Sequence, residues 1–338
     1  MPALHTVAVL GGGSFGTVIA NIIACNGNPV RLWLRNEPRA DAINRDRENR
    51  EYLPGYALHA NLEATTALEQ ALSGIDILFV AVPSKSFRDV VREVARHVSP
   101  STLVISLTKG IEAGGFRLMS QILEEEMPAN PRGVLSGPNL AQEIADGQIT
   151  GSVIASDDPA INSTIHDLLH SESFLIYGSS DMYGVELGGA LKNVYAILSG
   201  VAAALHLGEN TVGMLLTRSL AEMSRFAVHL GANPITFIGL AGVGDLFVTC
   251  SSSLSRNFRV GLALGSGQPL EDILADKDQV AEGINTLGLL KVEAARRGGN
   301  MPLVTGLYAI LDEHRPVEDV FDDMMHTEEA QDVEFATG

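Results

Sequence analysis

The residues that most constrain this chain are Gly11-Gly-Gly-Ser-Phe-Gly16. They lie between a short apolar run, Thr6–Leu10, and a stretch whose apolar positions Phe15, Val18, Ile19, Ile22 and Ile23 recur at helical spacing. Strand, Gly-x-Gly-x-x-Gly and helix inside one short βαβ unit form the context in which each glycine has its own task. Gly11 permits the tight turn, Gly13 lets the backbone approach a pyrophosphate, and Gly16 lets the helix pack closely on the strand. The unsatisfied N–H groups at the helix start, and the helix dipole, favour that anion. Gly27 is a natural stop for the helix, and Pro29 opens a second strand, Val30–Leu34. An acid at the end of that strand would bond a ribose hydroxyl, whereas a base would accommodate a 2′-phosphate. The strand ends at Arg35-Asn36 and the first acid is Glu37. This favours NADP over NAD, the alternative being an ordinary surface role for Arg35.

The first half of the chain continues to alternate. Ile75–Val82 and Leu103–Leu107 are nearly continuous apolar runs, as parallel strands buried on both faces require. Helical patterns follow near Lys85–Val98 and Phe116–Met127, and further strands are expected at Gly133–Leu135, Ser152–Ala155 and Phe174–Tyr177. The alternation predicts an α/β fold with a Rossmann-type, doubly wound parallel sheet. After about Asp181 the pattern becomes helical, continuously so from Met182 to Leu230. The expected organisation is a dinucleotide-binding domain over 1–180, an all-helical substrate and catalytic domain over 181–330, and an acidic tail over 331–338.

With 41 acidic and 23 basic side chains the net charge is −18, which argues against a nucleic-acid partner. A small phosphorylated ligand needs only a local positive pocket. The longest apolar stretch, around Val194–Leu207, reads as too short and too polar at its ends for a membrane span. A strand is expected within a few residues of Met1, so no signal peptide is expected. Cys25 and Cys250 stand far apart, so neither a disulfide framework nor a metal site is expected. A cytoplasmic location is the resulting expectation.

Lysine is scarce: Lys85, Lys109, Lys192, Lys277 and Lys291 are all there are. Lys192 stands in Leu187-Gly-Gly-Ala-Leu-Lys-Asn-Val194, an apolar helix whose glycines permit close approach of another element. Desolvation of a lysine there would weaken its hold on the proton, as a general acid/base near neutral pH requires. A snorkelling lysine at a helix edge is the competing reading. Three other motifs favour chemistry. Ala241-Gly-Val-Gly-Asp245, followed by Thr249, presents a carboxylate on a glycine-rich turn. Ser255-Arg-Asn257 is a run of donors suited to phosphate oxygens, Arg256 being capable of bidentate contacts. Thr108-Lys-Gly110 follows a predicted parallel strand, where ligands bind in open α/β sheets.

With these residues in view, the chain resembles the bacterial soluble NAD(P)-dependent glycerol-3-phosphate dehydrogenases. The resemblance is carried by Gly11-Gly-Gly-Ser-Phe-Gly-Thr17, Thr108-Lys-Gly110, Ser136-Gly-Pro138, Gly188-Gly-Ala-Leu-Lys-Asn193, Gly242-Val-Gly-Asp245, Ser255-Arg-Asn257 and Val280-Ala-Glu-Gly283. These occur in the family's order across both expected domains. The resemblance implies NAD(P)H-dependent reduction of dihydroxyacetone phosphate to sn-glycerol 3-phosphate by a homodimer. It implies that Lys192 is the proton donor, with Lys109 and Asp245 positioning and polarising the substrate. The substrate contacts it implies are Lys109, Gly137, Asn139, Lys192, Asp245, Thr249, Ser255, Arg256 and Asn257. For the dinucleotide it implies Gly11, Gly13, Ser14, Phe15, Gly16, Arg35, Lys109, Ala141, Arg256, Val280 and Glu282. Two departures stand out: Asn139-Leu140 replaces the family's usual Thr or Ser followed by Phe, and Val280-Ala281 replaces a pair of valines. The 6-phosphogluconate and ketopantoate enzymes also pair a helical second half with a lysine acid/base. Ser255-Arg-Asn257 after Gly244-Asp245 argues against them. A catalytically silent NADP sensor would have a degraded site, whereas Lys109, Lys192, Asp245 and Arg256 are all present.

Overall fold

The apolar runs of the first half become the middle of an eight-stranded sheet in the computed structural model, which describes residues 4–112, 114–275 and 282–326. By internal contacts the chain divides into two units, Met1–Glu112 with Arg117–Met182, and Ala113–Phe116 with Tyr183–Gly338. In chain order the first unit runs β1 (Val7–Leu10), α1 (Ser14–Cys25), β2 (Val30–Trp33), α2 (Glu37–Asp46), β3 (Leu62–Thr65), α3 (Leu68–Leu72), β4 (Ile77–Val80) and α4 (Ser84–Val94). It continues with β5 (Leu103–Ser106), α5 (Met119–Glu126), β6 (Arg132–Ser136), α6 (Ala141–Ala145), β7 (Thr150–Ala155), α7 (Pro159–Leu169) and β8 (Phe174–Ser179).

The strand order is β3-β2-β1-β4-β5-β6-β7-β8. Every residue of β1, β4 and β5 is buried, so these strands need apolar side chains on both faces. Val7 and Val9 join one core layer with Ile19, Ile23 and Phe79, while Ala8 and Leu10 join the opposite layer with Phe87 and Val104. Connections leave β1 toward β2 on one side, and β4 lies on the other, in register from Val7↔Ile77 to Leu10↔Val80. That reversal of direction opens a crevice at the carboxyl ends of β1 and β4. The glycine turn sits there.

The sheet departs from the expected parallel arrangement at one edge. Strand β7 runs antiparallel to β6, pairing Val134 with Ala155 and Ser136 with Val153, and β8 follows parallel to β7. A parallel return needs a crossover long enough to retrace the strand. The intervening helix α6 has five residues, a rise of roughly 7 Å, against roughly 20 Å for a six-residue strand. The helix expected from Phe116 also begins later, at Met119. Phe116 adopts a left-handed φ of 52°, and its ring meets Phe226 edge-on within the second unit, centroids 5.9 Å apart.

The second unit is helical: α8 (Met182–Ala204), α9 (Glu209–His229), a 3₁₀ turn (Pro234–Ile238), a π-helical turn (Leu240–Gly244), α10 (Asp245–Ser251), α11 (Arg256–Gly265), α12 (Leu270–Ala275), α13 (Glu282–Arg297), α14 (Pro302–Leu311) and α15 (Val317–Met325). Residues Gly184 to Ala202 of α8 are all buried. A helix apolar all round must be enclosed by others. This one is longer than the apolar stretch seen in sequence: Met182–Ala204 has the length and composition of a membrane span, yet 89% of its apolar window is buried inside the fold. It is the core helix of its unit.

Candidate active site

In the first unit the glycine turn has the shape its sequence demands. Gly11 has φ of 120°, and a Cβ there would lie 2.3 Å from the Ala81 carbonyl oxygen. A Cβ on Gly16 would lie 2.1 Å from the Gly11 carbonyl oxygen, so the turn closes only without side chains at both positions. Gly13 differs, since nothing lies within 4 Å of its would-be Cβ. It is the N-cap of α1, has no side-chain capping bond, and no acid follows in the first turn. Open space, uncapped N–H groups and the positive end of a helix dipole fit a dinucleotide pyrophosphate. Ser14 does not cap its own helix. Its hydroxyl donates to the Tyr52 carbonyl at 2.7 Å. Phe15 packs against the core layer beneath the turn, as does Ala141 at the start of α6.

Arg35 lies just past β2, exposed, with no hydrogen bond or ion pair among the described residues. Asn36 caps α2 by accepting from the Arg39 backbone N–H, which puts Glu37 in the first helical turn. A further cluster occupies the tips of β5 and β6. Thr108 Oγ1 donates to the Val82 carbonyl at 2.8 Å, fixing the loop that carries Lys109. Lys109 Nζ donates to the Gly137 carbonyl at 2.9 Å, and Gly137 has φ of 140°. Asn139 Nδ2 donates to Ser152 Oγ, which donates in turn to the Ser136 carbonyl. Asn139 Oδ1 and Ser136 Oγ are buried without a hydrogen-bond partner. Buried polar atoms left so are costly unless something else satisfies them.

In the second unit, Lys192 is 6% exposed and Asp245 is 0% exposed. The snorkelling alternative is therefore excluded. Lys192 Nζ donates to Asp245 Oδ1 and, at 2.6 Å, to Thr249 Oγ1. The Thr249 hydroxyl donates to the Asp245 carbonyl at 2.6 Å, one turn back along α10. Desolvation in an apolar helix is only part of the surroundings of Lys192. The structure adds a carboxylate and a hydroxyl, which compensate the burial of an ammonium. Their meeting depends on Gly188, four residues before Lys192 on α8. A Cβ there would lie 2.4 Å from the Ala241 carbonyl oxygen in the π-helical turn that leads into Asp245. Such turns concentrate at functional sites. Burial pushes the neighbouring Cys250 thiol up to about 12, so it stays neutral beside the pair.

The Ser255-Arg256-Asn257 run opens α11. Ser255 Oγ caps the helix by accepting from the Phe258 N–H, and Arg256 is exposed at the first helical position with no partner among the described residues. Asn257 is buried and joins two helices. Its Nδ2 donates to Asn193 Oδ1 at 3.0 Å, while its Oδ1 accepts from the Gly283 N–H at 3.0 Å. Glu282 opens α13, and Val280 lies outside the described residues. Asn193 was legible only as the residue after Lys192; its bridging role depends on a partner 64 positions away.

A family profile described as the N-terminus of NAD-dependent glycerol-3-phosphate dehydrogenase matches residues 6–162, and its C-terminal companion matches 181–322. A glycerol-3-phosphate dehydrogenase (NAD(P)+) of Saccharophagus degradans is 53% identical over 338 residues, covering 100% of this chain and 94% of the relative. One from Teredinibacter turnerae is 54% identical over 332 residues, covering 98% of each. The crystal structure of the glycerol-3-phosphate dehydrogenase of Coxiella burnetii matches with a TM-score of 0.91 at 34% identity, covering 96% of this chain and 99% of that one. The chain belongs to the NAD-dependent glycerol-3-phosphate dehydrogenase family.

Proposed function

We propose that this chain reduces dihydroxyacetone phosphate reversibly to sn-glycerol 3-phosphate, the backbone precursor of glycerophospholipids. The observation that carries the reading is the buried Lys192 ammonium held by Asp245 and Thr249 in a chain of this family. Lys192 Nζ donates a proton to the carbonyl oxygen of the substrate and takes it back in the reverse reaction. Asp245 and Thr249 hold Nζ in one place, which converts an encounter into a positioned transfer. By the resemblance, Lys109, Gly137, Asn139, Lys192, Asp245, Thr249, Ser255, Arg256 and Asn257 contact the substrate. Arg256 meets the phosphate end. Two of the five lysines of this strongly acidic protein, Lys109 and Lys192, thus serve a dianionic ligand.

The dinucleotide binds to Gly11, Gly13, Ser14, Phe15, Gly16, Arg35, Lys109, Ala141, Arg256, Val280 and Glu282, and when bound in reduced form it supplies the hydride that the carbonyl carbon receives. Residues 1–180 form the dinucleotide domain and 181–330 the catalytic domain. Exposed Arg35, without a partner among the described residues, and Glu37 turned into α2 favour NADPH over NADH. The enzyme works in the cytoplasm as a homodimer, as the family resemblance implies. The test is a spectrophotometric assay of cofactor oxidation with dihydroxyacetone phosphate, run in parallel with NADPH and NADH. Turnover with both is expected, faster with NADPH than with NADH at equal low concentration. No turnover with either refutes the reading.

A further inference from the structure

One side chain beside the glycine turn belongs to none of the motifs described above. Asn49 lies in the loop between α2 and β3, is 0% exposed, and reaches back 37 residues. Its Nδ2 donates to the Gly12 carbonyl at 2.9 Å and to Thr17 Oγ1 at 2.8 Å. The loop is tied down on its other side by the Ser14 hydroxyl, which donates to the Tyr52 carbonyl at 2.7 Å. Within the loop, the Leu53 N–H donates to the Asn49 carbonyl at 2.7 Å. Asn49 Oδ1, by contrast, is buried with no hydrogen-bond partner. An enclosed amide with an orphaned oxygen costs stability compared with an apolar residue of similar shape. A gain in stability does not explain this residue.

The peptide that joins Gly12 to Gly13 supplies the explanation. A trans peptide is planar, and its N–H points opposite to its C=O. Fixing the Gly12 carbonyl on Asn49 therefore fixes the direction of the Gly13 N–H, which faces away from Asn49. That N–H finds no acceptor among the described residues, and Gly13 is the N-cap of α1 at the open side of the turn. Glycine on both sides of the peptide leaves its rotation nearly unrestrained by side chains. The turn needs an outside group to choose one orientation, and Thr17, one turn into α1, anchors that group to the helix.

We infer that Asn49 is a positioning residue for the dinucleotide: it orients the Gly12–Gly13 peptide so that the Gly13 N–H is presented to a pyrophosphate oxygen. This rests on the glycine turn being the dinucleotide site. The test is equilibrium binding of NADPH, followed by fluorescence, alongside thermal unfolding, for the full chain and four variants. Wild type binds. Asn49→Ala weakens NADPH about tenfold, the equivalent of one net hydrogen bond to an anion, and leaves KM for dihydroxyacetone phosphate unchanged at saturating NADPH. Thr17→Val weakens NADPH in the same direction, and Thr17→Ser, which keeps the hydroxyl, restores it. Leu53→Ala loosens the same loop without touching the turn, so it lowers the melting temperature and leaves NADPH affinity intact. The inference is overturned if Asn49→Ala binds NADPH as wild type does, or if Leu53→Ala weakens binding as much as Asn49→Ala. Failure of the wild-type chain to bind NADPH overturns the dinucleotide site itself, and Asn49's role with it.

Discussion

Replacing Lys192 by methionine separates what the buried pair does for stability from what it does for catalysis. The substitution keeps the length of the side chain and removes the ammonium, leaving the Asp245 carboxylate at 0% exposure without its cation. Breaking a buried ion pair by removing one partner costs about 3–5 kcal/mol. The expected loss for Lys192→Met is therefore of that size. Adding Asp245→Asn removes the orphaned charge and leaves a neutral amide beside the Thr249 hydroxyl, so the double variant regains about 1–2 kcal/mol over the single. If Lys192 has the proposed role of proton donor, neither variant is expected to turn over substrate. Because the chain has two units, unfolding is followed with two probes. Far-UV ellipticity reports the helices. The single tryptophan, Trp33, reports β2 of the first unit. In urea the Lys192→Met ellipticity transition moves to lower denaturant while Trp33 fluorescence keeps its wild-type midpoint. An unmoved ellipticity transition refutes the reasoning, as does a double variant less stable than the single.

Burial pushes the Glu222 carboxyl up from 4.5 to about 7, opposed by the Leu303 and Val304 N–H groups at the start of α14, by the Tyr195 hydroxyl and by Arg225. The folded state holds this proton more tightly than the unfolded one, so the Glu222 contribution is fully present below about pH 4.5 and is lost as pH rises through about 7. It amounts to roughly 3 kcal/mol. Glu222→Gln flattens that slope in urea titrations between pH 5 and 8, and an unchanged slope refutes the assignment. Arg256→Ala removes an exposed guanidinium from the first position of α11. KM for dihydroxyacetone phosphate rises roughly tenfold to hundredfold, the range for a charge-assisted hydrogen bond, and an unchanged KM removes Arg256 from the phosphate contact.

The parts of this molecule legible in its sequence are those whose cause is local. The glycine turn is read from six adjacent residues, and β1, β4 and β5 from runs that must be apolar on both faces. Strand β3 escapes that reading because Leu62-Glu63-Ala64-Thr65 sits at the sheet edge, where Glu63 is exposed and the apolar signal is thin. The reversal at β7 is invisible because strand direction is set by how far α6 travels, not by strand composition. Lys192 stands out in sequence as a cation in an apolar helix, but its carboxylate partner lies 53 residues away. What links them in the sequence is only the pair of glycine-rich stretches around Gly188 and Gly242, which say that two backbones approach without saying which two. Glu222 shows the converse. It falls on the buried stripe of α9 with Leu215, Ser219, Met223 and Phe226, so helical spacing marks it as enclosed. Its residue type alone suggests a solvated face. Periodicity identifies the environment of a polar residue more securely than residue type does, whereas the partner that makes that environment tolerable is decided by tertiary packing. Asn49 had neither cue, standing in a loop without a period, and only its hydrogen bonds to Gly12 and Thr17 connect it to the turn.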